Sequence, residues 1–135
     1  MPQLSKYSKW DILAQATTAV SSGGSGEVNM AGYEGAQFAV TCNSTYAGTT
    51  TVTVQMAPST TGTYQNVSGG TKASTGGTAD IAVVDIYRPR QPELKAVVTT
   101  STTVGTNWSL VALRYGAHKV PTTTTNITSV VSPGT

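Results

Sequence analysis

The residues that could perform chemistry are one histidine, six carboxylates and many serines. On paper, His118 could join Asp80 or Asp85 and a serine in an acyl-transfer triad, in which histidine takes the serine proton. The chain has no Gly-x-Ser-x-Gly turn to present such a serine. The carboxylates are scattered, so no acid and base pair for glycoside hydrolysis is indicated. We therefore predict that the protein is not an enzyme and that His118 has a solvated or capping role.

The same residues do not indicate a metal or a cofactor. A single histidine cannot build a histidine-based zinc site, and no Asp-x-Asp run offers oxygen ligands to calcium. The glycine pairs around Lys72 lack the Gly-Lys-Ser/Thr ending and the following helix of a phosphate-binding loop. The single Cys42 cannot form an internal disulfide, and its position in an alternating stretch makes it a small core residue. We expect no metal, no cofactor and folding in a reducing cytoplasm.

Charge is concentrated in residues 88–95, although charged residues make up only 10% of the chain. Arg88 and Arg90 stand beside two prolines, Pro89 and Pro92, which stiffen the backbone because proline fixes φ. In one interpretation, this corner presents guanidinium groups to carboxylates of a partner. In the other, it is an ordinary charged corner with Asp85 or Glu93 as a local partner. Both interpretations stay open from the sequence.

Length and charge limit the class of protein. The 135 residues fit one domain that can bury a core without a disulfide. A net charge of +2 supplies few phosphate contacts, so we expect no nucleic-acid partner. No apolar run approaches a membrane span, and residues 1–6 lack the apolar core of a signal peptide. We expect a soluble protein that does not bind membranes and is not exported.

The elements that must position these residues are β-strands. Residues 49–57 alternate valine or methionine with threonine and glutamine, the pattern of a half-buried strand. Residues 82–98 predict two apolar strands joined at the charged corner, both covered on their two faces and therefore central. Residues 107–115 carry apolar residues on both faces and predict another central strand. Three segments predict turns or loops: 21–26, 58–62 and the longer 68–78, which we expect to be mobile.

The pattern as a whole predicts an all-β, single-domain β-sandwich of the jelly-roll type with seven or eight strands. We predict an extended N-terminal arm at 1–15, the sandwich at 16–120 and an extended tail at 121–135. Tyr7 and Trp10 in the arm could dock on a neighbouring subunit, because buried aromatics often dominate interface energies. The alternative, with equal weight, is that the arm is the first strand of its own domain.

Several short motifs resemble, in the same order, those of a family of small head decoration (cement, or capsid-stabilising) proteins of tailed bacteriophages. They are GYEGAQF (32–38), VTVQ (52–55), GTYQNV (62–67), YRPR (87–90), KAVV (95–98) and LRYGAHKVP (113–121). Relatives tend to place an aromatic and an arginine where this chain has Glu93 and Lys95, so a contact made there would differ. The similarity spans about residues 28–121 and leaves out the arm and the tail.

The resemblance implies a non-enzymatic virion protein that binds the outer capsid surface and clamps neighbouring major capsid subunits. It would be made in the host cytoplasm and act as a homo-oligomer, a trimer being favoured and a dimer possible. The interface residues we predict are Tyr7, Trp10, Arg88 and Arg90. Two alternatives stay open: a virion module for carbohydrate binding or host adhesion, suggested by Tyr33, Tyr46 and Tyr64 near loops, and a tail or head-tail connector component.

Overall fold

A computed structural model describes residues 8–16, 24–42, 49–75, 80–100 and 108–118 of the chain. Every regular element in these ranges is a β-strand, which confirms the predicted all-β class. The eight strands are β1 (Lys9–Ala16), β2 (Gly24–Asn29), β3 (Gly35–Cys42), β4 (Thr49–Ala57), β5 (Gln65–Thr75), β6 (Asp80–Tyr87), β7 (Glu93–Thr100) and β8 (Trp108–Tyr115). Within the described ranges no helix is long and apolar enough to cross a membrane.

The strands form two four-stranded antiparallel sheets, in the orders β1-β8-β3-β6 and β2-β7-β4-β5. Each strand is followed by one in the opposite sheet, except that β4 and β5 are neighbours in the same sheet. This alternation between two four-stranded sheets is the jelly-roll topology, as predicted. β8 and β7 lie inside their sheets, which confirms their predicted central positions.

The core lies between the two sheets and follows the alternation of the strands. In β4, Val52 and Val54 are fully buried, whereas Thr51 and Thr53 face outward and are half-buried. The predicted turn at 58–62 is confirmed by a hydrogen bond from the Gly62 amide to the Ser59 carbonyl, 3.1 Å long. The largest fully buried side chains come from both sheets: Phe38, Leu94, Leu110, Val40, Val52, Val54 and Val98. Burial of each contributes about 1.5–3 kcal/mol to stability before entropy is counted.

The predicted arm is corrected by the structure, because residues 9–16 form the edge strand β1. They pair with β8 from Lys9 opposite Arg114 to Ala16 opposite Trp108. The pairing register shifts between Ile12 and Ala14, so a bulge at Leu13 breaks the alternation that would have marked a strand. The first-strand alternative is therefore correct for this stretch, and the boundary at residue 16 is wrong. Tyr7 and residues 121–135 lie outside the described residues.

The two strands beside the charged corner are also corrected. They belong to different sheets, and β6 is an edge strand rather than a central one. Its inward residues Ala82, Val84 and Ile86 are buried, but Val83 on its outward side is 43% exposed. The apolar composition of β6 therefore does not mean that both of its faces are covered.

Two glycine-rich segments predicted as a turn and a mobile loop contain strand residues. β2 begins at Gly24, and a side chain at Gly26 would overlap Leu13 of β1, so glycine allows β1 to lie close. β5 runs to Thr75, and its pairing with β4 is interrupted near Gly69, which has a φ of +76°. A bulged, threonine-rich edge strand resembles a loop in sequence. Residues 21–23 and 76–79, and the side chain of Cys42, lie outside the described part.

Candidate functional site

The charged corner, residues 88–92, crosses from one sheet to the other at one end of the sandwich. β6 ends at Tyr87 in one sheet, and β7 begins at Glu93 in the other. The Arg88 amide donates to the Glu34 carbonyl over 2.8 Å, and the Met30 amide donates to the Pro92 carbonyl over 2.7 Å. Both ends of the corner are thus hydrogen-bonded to the 30–34 turn, which restricts its motion.

Arg88 has a φ of +50°, the left-handed region that non-glycine residues rarely occupy. This conformation costs about 1–2 kcal/mol, which the anchoring hydrogen bonds offset. The guanidinium carbon lies 5.2 Å from the Tyr87 ring centroid, and Nη2 lies 3.8 Å from Oε1 of Glu34. Because the Arg88 side chain is 70% exposed, this ion pair contributes at most about 1 kcal/mol. The corner therefore holds an exposed guanidinium group that can still bind a carboxylate.

Arg88, Pro89 and Arg90 line two open grooves. The first groove, about 450 Å³, has a polar wall that includes Glu34 and His118. The second, about 380 Å³, is bordered mainly by apolar side chains: Met56, Val67, Ile86 and Tyr87. An exposed pair of arginines beside an apolar groove is suited to a partner segment that carries a carboxylate next to an apolar side chain.

His118 and Asp85, two residues of the possible catalytic triad, are each engaged with other partners. Asp85 accepts a hydrogen bond from the Tyr115 hydroxyl at 2.6 Å and lies 3.5 Å from the Gln37 amide nitrogen. His118 is exposed, and its backbone amide donates to the Gly32 carbonyl at 2.9 Å. The Asp80 side chain is outside the described residues. In the described ranges, no group of three or more histidine, cysteine or acidic side chains could hold a metal ion.

Arg114 of β8 is a largely buried charge in this region, and the sequence did not indicate its role. Its Nη2 lies 3.0 Å from Oδ2 of Asp11, its Nη1 donates to the Asn29 carbonyl at 2.8 Å, and its guanidinium carbon is 4.7 Å from the Tyr33 ring centroid. The side chain is 12% exposed. Arg114 therefore joins β1, the end of β2 and the 30–34 turn below the corner.

Trp10 lies apart from Arg88 and Arg90. It is 41% exposed on the outward side of β1, opposite Leu113 of β8. β1 and β6 are the two edges of one sheet, so Trp10 and Tyr87 are separated by about 14 Å of sheet width. Of the four predicted interface residues, Arg88 and Arg90 lie together, Trp10 lies apart, and Tyr7 is not described.

The outward side of the β1-β8-β3-β6 sheet is called here the apolar face. One row of directly paired residues crosses all four strands: Ile12, Val111, Ala39 and Val83. The large hydrophobic side chains that the described part of the chain exposes are all on this face: Trp10, Ile12, Ile81, Val83 and Tyr87. Exposed apolar surface concentrated on one side commonly marks an interaction site.

The outward side of the β2-β7-β4-β5 sheet is called the polar face. One row of paired residues across this sheet consists of Glu27, Lys95, Gln55 and Asn66. The neighbouring row consists of Ser25, Val97, Thr53 and Thr71. Hydrogen bonds follow these rows, from the Gln55 amide nitrogen to Asn66 at 2.9 Å and from the Thr71 hydroxyl to Thr53 at 3.4 Å. This face is compatible with water and needs no cover.

The two described tyrosines that suggested a sugar-binding platform are engaged in the fold. Tyr33 packs against the core, and the Arg114 guanidinium group lies over its ring. Lys95 Nζ lies 5.1 Å from the Tyr64 ring centroid, and the Tyr64 hydroxyl is buried without a hydrogen bond of good geometry to any described residue. Burial, together with the charges of Glu27 and Glu93, raises the pKa of Tyr64. Tyr46 is outside the described residues.

The fold and its surfaces define the class: a jelly-roll β-sandwich with one apolar outer face and a braced arginine corner. No protein-family model matches the sequence, and no curated protein matches it significantly.

Similar solved structures include the following two. One contains the CBM22-1 and GH10 modules of xylanase 10B of Clostridium thermocellum, complexed with xylohexaose, with a TM-score of 0.52 and 14% identity over 87% of this chain. The chain spans 26% of that protein. The other is a Bacillus endospore appendage, a disulfide-linked pilus, with a TM-score of 0.42 and 15% identity over 82% of this chain and 88% of the other. At such identities, the first similarity supports the β-sandwich fold alone.

Proposed function

We propose that the protein is a non-enzymatic decoration protein of a tailed-bacteriophage head. It binds the outer surface of the capsid and clamps neighbouring subunits of the major capsid protein. The resemblance in residues 28–121 supports this assignment. The structural observation that carries it is the corner at 88–92, which is hydrogen-bonded at both ends and exposes Arg88 and Arg90.

The corner would bind an acidic segment of the capsid subunit. Arginine forms two parallel hydrogen bonds to a carboxylate, so both distance and orientation are selected. Because the corner is already held by the 30–34 turn, little conformational entropy is lost on binding. The apolar groove beside Tyr87 would take a neighbouring hydrophobic side chain of the same segment.

Clamping would depend on several such contacts acting together. One exposed arginine corner binds weakly, because its charges remain partly solvated and screened by salt. A homo-oligomer that engages several capsid subunits makes each further contact at a high effective concentration. The result is a strong attachment built from weak interfaces, which would resist the outward pressure of packaged DNA.

The test uses heads that lack the protein, to which purified variants are added. We expect charge reversal of both arginines, Arg88→Glu with Arg90→Glu, to weaken head binding by about 100-fold or more, because attraction becomes repulsion. The matched control is Lys72→Glu, which reverses an exposed lysine on β5 far from the corner. Equal binding by the double variant and the control would exclude the corner as the capsid contact.

Copy number tests the function independently of the corner. Mass spectrometry of purified particles should give about one chain per one to a few major capsid subunits. A count of about a dozen or fewer would instead favour a tail or connector component and would contradict the decoration proposal.

A carbohydrate-binding or host-adhesion module is the second candidate. It is favoured by the polar face, where Gln55, Asn66 and Lys95 could hydrogen-bond sugar hydroxyls. It is weakened because Tyr33 and Tyr64 are engaged in the fold. Binding on a glycan array that is lost in Gln55→Ala would support this candidate, whereas no binding to any glycan would remove it.

A further inference from the structure

Within the described part of the chain no element covers the row that runs from Ile12 to Val83, although Leu113 of β8, on the same face, is only 5% exposed. Ile12 is 70% exposed at one edge of the sheet and Val83 is 43% exposed at the other. Between them, Val111 and Ala39 on the central strands complete an aliphatic row. A monomer would leave this row in water at a cost of roughly 25 cal/mol for each Å² of apolar surface.

We propose that two copies of this chain pack their apolar faces against each other around a two-fold axis. This inference does not depend on the proposed attachment to a phage head. It commits to a second copy as the partner on three grounds: the charge of the face, its area and its symmetry.

The first ground is charge. Among the outward residues described on this sheet, Asp85 is the one with a formal charge, and Tyr115 already donates a hydrogen bond to it. A face that meets itself must avoid like charges opposite each other. Interfaces between identical subunits are also more apolar than those between independent partners. The near absence of charge thus favours a second copy over a different protein.

The second ground is area. Four strands about 4.8 Å apart and eight residues long give a face of roughly 500 Å² before side-chain relief is counted. Two such faces would bury about 1,000 Å² or more, which reaches the range of specific interfaces. The small Ala39 near the middle lets the two sheets approach to the spacing of about 10 Å found between packed sheets.

The third ground is symmetry, which also decides the number of copies. A flat face that contacts its own equivalent is related to it by a two-fold axis, whereas a three-fold ring needs two different complementary patches. Among the described residues, the large exposed hydrophobic side chains all lie on this one face, and the apolar groove beside Tyr87 is a concave site for a single side chain rather than a second flat patch. The geometry therefore favours a pair of chains over the trimer that the family resemblance suggests.

The test is sedimentation velocity of the full chain from about 1 to 500 µM. We expect wild-type protein to reach twice the 13.9 kDa chain mass, with a dissociation constant in the micromolar range or tighter. Val83→Lys should raise that constant by about 100-fold, because each interface would bury two unpaired ammonium groups. The matched control is Thr53→Lys, at the corresponding row of the polar face, which should leave the pair intact.

A second measurement keeps the inference testable if the lysine variant folds poorly. A photoreactive phenylalanine analogue at position 83 should cross-link two chains, with the linked residues on the apolar face. Links within one chain to residues 1–7 or 119–135 would show that the chain covers its own face and would overturn the proposal. So would a wild-type monomer at 500 µM, a trimer that survives Val83→Lys, or equal dissociation by Thr53→Lys.

Discussion

The middle row of the apolar face consists of Ile12, Val111, Ala39 and Val83, whereas a row of the polar face consists of Ser25, Val97, Thr53 and Thr71. Both rows lie over the same core, and the residues of each row come from neighbouring antiparallel strands. Threonine has the β-branched shape that suits a strand and also a hydroxyl that bonds to water. The side chains of the polar face therefore suit a β-strand and also hydrogen-bond to water. Those of the apolar face suit a β-strand but are poorly hydrated.

The two faces show that a residue's preference for β-strand conformation and its need for burial are separate properties. Valine and threonine are nearly equal in shape, so exchange between them at an outward position changes hydration more than packing. An outward valine row is thus evidence of a missing cover rather than of strand formation. The same distinction explains why the apolar face carries the self-association proposal and the polar face does not.

The largest expected effect comes from breaking the attachment of β1, which supplies Trp10 and Ile12 to the apolar face. Arg114→Met should lower the free energy of unfolding by about 3 kcal/mol, because the Asp11 carboxylate loses its buried partner. Urea denaturation measures this loss, and β1 amides should show the largest increase in hydrogen exchange.

The matched control for that change is Lys95→Met on the polar face, where the cation lies over Tyr64. It should cost about 1 kcal/mol or less. Adding Asp11→Asn to Arg114→Met should recover part of the stability, because the Asp11 carboxylate would otherwise be left with only the longer ion pair to Lys9 at 3.8 Å. If the two methionine variants lost equal stability, the assigned role of Arg114 would be wrong.

A medium effect is expected at Gly35, where the Tyr115 ring crosses the apolar face from β8 to reach Asp85 on β6. A Cβ on residue 35 would overlap that ring. Gly35→Ala should therefore cost about 1–3 kcal/mol, as overpacking usually does. Denaturation curves with and without Tyr115→Ala measure the coupling between the two positions.

With the ring removed, Gly35→Ala should become close to neutral, because glycine is required there only by the close approach of Tyr115. An equal cost of Gly35→Ala in both backgrounds would mean that the backbone, and not the ring, demands glycine.

Much of the fold could be predicted because its signals are local. Alternation in residues 49–57 identified β4, and the proline and glycine of 58–62 identified the turn. β1 stayed an alternative to an extended arm, and β5 beyond residue 67 was predicted as a loop, because bulges at Leu13 and near Gly69 interrupt the period of two. β6 was placed inside a sheet because its apolar outward residues implied a cover that the domain itself does not provide.

The candidate site was predictable only in part. Prolines and arginines marked the corner at 88–92, but the left-handed φ of Arg88 has no sequence signal because glycine is absent there. The Arg114 contact with Asp11 joins residues 103 positions apart, which no local pattern can reveal. Long-range pairing decides which charges are exposed for binding and which hold the strands together.

The smallest expected effect is a loss of folding stability at alkaline pH, to which Tyr115 on the apolar face and Tyr64 near the polar face both contribute. Burial, followed by the hydrogen bond to Asp85, raises the pKa of Tyr115 well above its usual range, and burial also raises the pKa of Tyr64. A raised pKa in the folded state means that the unfolded chain ionises first, near pH 10. The stability that these tyrosines contribute is thus complete below pH 10 and is lost as the pH rises from there toward the folded-state pKa.

Urea unfolding between pH 9 and about 11 measures this slope, which each tyrosine can steepen by at most about 1.4 kcal/mol per pH unit. Tyr115→Phe and Tyr64→Phe should each flatten it, and Asp85→Asn should flatten the Tyr115 contribution in part because burial of the ring remains. A slope unchanged in Tyr115→Phe but reduced in Tyr64→Phe would mean that the hydroxyl on the apolar face is open to solvent. The ring would then not be fixed across Gly35, and the apolar face would be less ordered than the polar one.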